Sequence, residues 1–145
     1  MDRDIVGDHV RFAMACMGCG AEVEAAAGQS LVYGHLEWSV ETDCPACGPV
    51  LACGRGDTPD DLRARLLDHG VHGPAGVELT GEAEGRAVTV MKVLRAEQSL
   101  GLAEARTALG DIRAGRYTGG TLPEVARLVD ALRAAGIEAR TVARR

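Results

Sequence analysis

Two matched cysteine knuckles constrain the N-terminal part of this chain more than any other feature. Cys16-Met17-Gly18-Cys19-Gly20 and Cys44-Pro45-Ala46-Cys47-Gly48 both read C-x-x-C-G. Two residues between paired cysteines let a tight turn aim both sulfurs inward, and the glycine relieves the backbone strain of that turn. Together the pairs place four thiolates where one tetrahedral metal ion can take them all. The gap of 24 residues between them is slightly longer than the usual four-cysteine pattern and long enough for a hairpin excursion. One C-x-x-C alone is compatible with a redox motif. Two, each followed by glycine, point to structural zinc on Cys16, Cys19, Cys44 and Cys47. Four thiolates can hold iron as well as zinc.

The segments entering the knuckles alternate. Val10, Phe12, Met14 and Cys16 share one face, and Arg11, Ala13 and Ala15 the other. In the second, Leu36, Trp38 and Val40 oppose His35, Glu37, Ser39 and Glu41. Period-two patterns predict half-buried strands, each running into a knuckle, as in a zinc ribbon. A domain of about 55 residues buries little apolar area, so the metal is expected to carry part of its folding free energy, on the order of 10 kcal/mol.

Pro49 to Asp57 reads as a Gly-rich crossing. Thr58-Pro59-Asp60-Asp61 then reads as a helix start with a capping hydroxyl, an early proline and acids at the positive end of the dipole. Leu62, Leu66 and Leu67 give it a short apolar stripe, and Gly70 with Gly73-Pro74 ends it. His69 and His72 are expected to be exposed loop residues. Cys53, the odd cysteine, is expected to be a small buried or half-exposed thiol. The boundaries are 1–56 for the ribbon, 57–75 for a short helix and linker, and 76–145 for a second domain.

That second domain is more regular. Val77-Glu78-Leu79 reads as a short strand, and Leu102, Ala105, Leu109 and Ile112 mark a helix with one apolar face. Thr121-Leu122-Pro123-Glu124 forms a capping box ahead of Val125, Leu128, Val129 and Leu132 at helical spacing. Gly136 closes that helix, and a final edge strand follows. Ala87 to Arg95 is ambiguous. Its β-branched residues favour a strand. A helix would put Val88, Met91, Lys92 and Arg95 on one face, with Val90 and Leu94 buried opposite.

Charge is uneven. Residues 1–76 hold 5 basic and 12 acidic side chains, and residues 77–145 hold 11 and 9. An N-terminal half this acidic makes nucleic acid an unfavoured partner, although RNA or ribosome binding is a common role of zinc ribbons. The charged start Met1-Asp2-Arg3-Asp4 has no apolar h-region, and no apolar run approaches the length of a membrane span. A reduced, cytoplasmic setting without membrane contact is therefore expected. No phosphate loop, nucleophile elbow or paired-carboxylate signature suggests catalysis, and four cysteines would close the metal's coordination. A thiol redox role is the enzymatic alternative.

Val88-Thr89-Val90-Met91-Lys92-Val93-Leu94-Arg95, followed by Leu100-Gly101-Leu102-Ala103-Glu104-Ala105-Arg106, resembles the C-terminal domain of the bacterial ribosomal large-subunit stalk protein (L-seven/L-twelve). The family pattern is V-x-V-I-K-x-V-R, then L-G-L-K-E-A-K, and the likeness runs from about residue 76 to 142. The resemblance implies an α+β chain, with a compact β-α-α-β-α-β domain after the ribbon and a helix over the ambiguous segment. It also implies a non-catalytic docking surface for a translational GTPase or ribosome-associated factor. Val88, Met91, Lys92 and Arg95 sit at the contacting positions of the first helix, and Gly101, Leu102, Glu104 and Arg106 at those of the second. Lys92 is the only lysine of the chain. Ala103 stands where the family usually has lysine, and an acidic zinc ribbon stands where the family has its helical dimerisation region.

Overall fold

The computed structural model describes residues 5–81 and 86–145. The charged start, Met1–Asp4, lies outside them. The chain is α+β and divides between Gly73 and Pro74 into two units, each with its own sheet.

In the first unit, β1 (Ile5–Ala15), β2 (Glu22–Val32), β3 (His35–Cys44) and β4 (Gly48–Arg55) form an antiparallel meander in the order β1-β2-β3-β4. β1 and β3 have the facing that alternation requires. Val10, Cys16 and Leu36 are buried, Phe12, Met14, Trp38 and Val40 are half-buried, and Arg11, Ala13 and Ala15 are exposed. β2 escapes a reading by periodicity because its buried face is built from Val23, Ala25, Ala27, Gln29 and Leu31, mostly small or polar. The Gly-rich crossing expected over Pro49–Asp57 is instead largely β4. An edge strand tolerates Pro49 and Gly54 because one side of its backbone needs no ladder partner. Gly54 lies opposite Trp38, and a Cβ there would stand 2.8 Å from the indole nitrogen. The glycine is what lets the indole lie across β4.

Tyr33 and Gly34 join β2 to β3. Both have positive φ, 48° and 83°, as a two-residue type I′ hairpin turn demands.

α1 (Asp60–His69) covers one face of this sheet. Leu62 and Leu66 are buried against Val10 and Ala27, with Phe12, Trp38 and Val40 at the margin. The Arg65 guanidinium lies 4.0 Å from the centre of the Phe12 ring. Thr58 is not the helix cap. Pro59 occupies that position without a side-chain bond, and the Thr58 hydroxyl instead accepts a hydrogen bond from the buried Gln29 amide at 2.9 Å. Asp60 and Asp61 do occupy the first turn. His69 ends the helix rather than lying in a loop, and His72 is exposed beyond it.

In the second unit, the order is β5 (Pro74–Leu79), α2 (Ala87–Gln98), α3 (Leu102–Arg113), β6 (Gly120–Thr121), α4 (Leu122–Ala134) and β7 (Ala139–Ala143). Its antiparallel sheet runs β6-β5-β7, so the last strand lies at an edge. The ambiguous segment is helical. Val90 and Leu94, one turn apart, are fully buried among Leu109, Val125, Leu128 and Leu132. Burial of that pair outweighs the weak strand preference of its β-branched residues. The α4 capping box forms in both directions, Glu124 N–H to Thr121 Oγ1 at 3.4 Å and Thr121 N–H to Glu124 Oε1 at 3.0 Å. Gly136, at φ 83°, follows the helix.

Candidate metal centre and helical surface

The meander explains why the two knuckles meet. The β1–β2 and β3–β4 connections of an up-and-down sheet lie at the same end, and their inner strands β2 and β3 are neighbours. The first carries Cys16 and Cys19, and the second Cys44 and Cys47. The residues between the pairs are the outward and return strands of the β2–β3 hairpin.

All four Sγ atoms lie within 4.8 Å of one another, and Cys19 Sγ is 3.7 Å from Cys44 Sγ. A tetrahedron with metal–sulfur bonds of ~2.3 Å has edges of about 3.8 Å. The cluster therefore can hold a metal ion, and its all-sulfur donor set suits a tetrahedral one. Cys16 and Cys44 are buried, and Cys19 and Cys47 exposed. Gly20 and Gly48, which close the motifs, have φ of 80° and 78°, the left-handed region where a side chain would be strained. Cys16 N–H donates to Ala21 O at 2.6 Å and Gly20 N–H to Cys16 O at 2.9 Å, fixing the first turn.

The thiols differ electrostatically. Backbone N–H groups of Cys19 and Gly18 bring Cys16 down from 9.0 to about 7. The Gly18 amide donates to Cys16 Sγ at 3.3 Å; this amide is a partner that motif spacing does not reveal. The Cys19 thiol, followed by burial and the nearby Cys16, pushes Cys47 up to about 12. A cation held among four thiolates this close would offset their mutual repulsion.

Cys53 stands apart from the cluster. It is an exposed residue of β4 opposite Ser39, not the buried or half-exposed thiol expected.

In the second unit, Val88, Lys92 and Arg95 are exposed along α2, while Met91 is half-buried against the core. Leu102 and Arg106 are exposed on α3, and Gly101 caps its N-terminus. Val88 and Leu102 keep 73% and 51% of their surface. Glu104 is also exposed, but its carboxylate accepts the Gly101 N–H at 2.9 Å. Its evident local task is capping α3.

Among the described residues, no helix is long and apolar enough to cross a membrane. No family model, curated protein or solved structure matches the chain at a significant level.

Proposed function

We propose that this chain is a non-catalytic, zinc-containing protein-interaction module. Its partner surface is the α2–α3 face, bearing Val88, Met91, Lys92, Arg95, Gly101, Leu102, Glu104 and Arg106. The observation that carries the reading is that Val88 on α2 and Leu102 on α3 are large apolar side chains exposed to solvent, and that Lys92 and Arg95 are exposed on α2. Exposed apolar side chains and exposed cations on the same two helices suit an acidic, partly apolar partner helix. The L-G-L-x-E-A-R segment supports a translational GTPase or ribosome-associated factor as that partner, in the cytoplasm. Zinc is the metal favoured by four thiolates at tetrahedral spacing, and complete sulfur coordination leaves no open position for catalysis.

The test is a pull-down from native cytoplasm with wild type and Lys92→Glu side by side, with metal content measured on the same preparations. Wild type is expected to recover an elongation factor or ribosomes, and the variant to lose them while keeping its fold and one zinc. Equal recovery by both would remove the helical surface from the proposal.

A further inference from the structure

The face of the ribbon sheet opposite α1 carries a pattern that the α2–α3 surface does not explain. Side chains alternate across a sheet, so Arg11, Ala26, Glu41 and Leu51 form one row on this face, and His9, Gly28, Ser39 and Cys53 the next. The middle of the face is a trough of small residues, Ala26, Gly28, Ser30 and Ser39. Two shallow depressions of about 400 and 480 Å³ lie along it. Leu51 stands at its side with 62% of its surface exposed.

Acidic side chains exceed basic ones around the trough. Arg11 pairs with Glu24 at 3.0 Å and Arg55 with Glu37 at 3.2 Å. Glu22, Glu41 and Asp43, on the same face, have no cationic partner among the described residues. Glu37, Glu41 and Asp43 all lie along β3 at multiples of the two-residue pitch, about 6.7 Å. An extended segment laid on the face, roughly aligned with β3 as packed strands are, presents its own side chains at that same pitch.

We infer that this face docks an extended, cationic segment of a partner polypeptide, one with arginine or lysine at alternating positions and small residues between. The small residues of the trough admit its backbone, the Glu41 and Asp43 carboxylates meet its cations, and Leu51 supplies an apolar edge. Phosphate backbones are repelled by the same carboxylates. A second copy presenting this face is repelled likewise, because like charges would oppose one another.

The experiment uses the full chain with bound metal and a fluorescent peptide of alternating arginine and alanine, followed by anisotropy. Glu41→Lys with Asp43→Lys is compared with Asp57→Lys with Asp61→Lys, an equal change of net charge off this face. The expected result is binding that weakens with added salt, falls about tenfold or more in the first double variant, and stays within about twofold of wild type in the second. Leu51→Ser is expected to weaken it as well. If charge reversal disturbs the knuckle beside Cys44, the neutral pair Glu41→Gln and Asp43→Asn gives the same comparison. Absence of binding, equal loss in both double variants, or self-association through Leu51 seen by sedimentation would each overturn the inference. None of these outcomes bears on the α2–α3 surface, which Lys92→Glu tests separately.

Discussion

The Asp8 carboxylate accepts the backbone N–H of Gly73 at 3.1 Å, across 65 positions of sequence. It also takes the N–H groups of His72 at 3.0 Å and His9 at 2.8 Å. Asp8 is only 2% exposed, so one buried carboxylate ties β1 to the loop that follows α1. The same arrangement explains Gly70, whose φ of −58° any residue can adopt. A Cβ at Gly70 would collide with Leu66 O and Asp8 Oδ2.

Asp8→Ala removes the acceptor from two loop amides and leaves that of Gly73 buried without its partner. Hydrogen bonds to a charged group contribute ~1.5–3 kcal/mol each, so a loss of about 3 kcal/mol from the first unit is expected. Trp38, the only tryptophan, lies in that unit, and its fluorescence in a denaturant titration reads the loss. An unchanged midpoint would show that Asp8 is structurally dispensable.

Asp8 marks the limit of what the chain disclosed on its own. The knuckles were legible from the spacing of their cysteines and glycines, and β1 and β3 because Val10, Phe12, Met14 and Leu36, Trp38, Val40 are large and alternate. β2 was not, since Ala25 and Ala27 carry too little apolar surface to stand out, and the buried Gln29 donates to Thr58, a partner 29 positions away that periodicity does not show. β4 was hidden by Gly54, whose missing side chain makes sense only once Trp38 is known to lie across it. Thr58 looked like a cap because its local sequence permits one, but a tertiary partner claimed the hydroxyl. In the second unit, the Thr121–Glu124 box was legible because capping is local. The helix over 87–98 needed either a resemblance or the burial of Val90 and Leu94 to decide it.

The Gly54–Trp38 pairing gives a second prediction. Gly54→Ala places a methyl group where the indole edge now stands, so Trp38 must tilt off β4. The cost is expected to be about 1–3 kcal/mol, typical of overpacking, with a changed tryptophan emission maximum in the folded state. Identical emission and stability would mean that the indole does not depend on this glycine.

Metal removal should act on one unit alone. Zinc-type sites link metal binding to folding, so chelation or Cys44→Ser is expected to open the knuckle end of the four-stranded sheet and expose it to protease. Residues 74–145, with their own core, should stay resistant. Cys53→Ser should keep one metal per chain, because Cys53 lies outside the four-sulfur cluster. Protease resistance of residues 5–55 that survives complete chelation would contradict metal-dependent folding.

Tyr117 gives the second unit a pH signature. Its ring is buried and its hydroxyl donates to Gln98 Oε1 at 2.5 Å. Burial raises its pKa above the ordinary 10.0, although the Gln98 hydrogen bond acts in the opposite direction. With the folded pKa above the unfolded one, the unfolded chain loses this proton first as pH rises. The stabilisation is complete below about pH 10 and declines from there through the raised folded pKa. In a Tyr33→Phe background Tyr117 is the only phenol, so phenolate absorbance reports it alone. Its titration should be displaced upward in the folded protein and return to the ordinary value in denaturant. Tyr117→Phe should cost about 1 kcal/mol at neutral pH through the lost hydrogen bond, and flatten the decline in stability above pH 10. An equally steep decline without the hydroxyl would assign the alkaline loss to other groups.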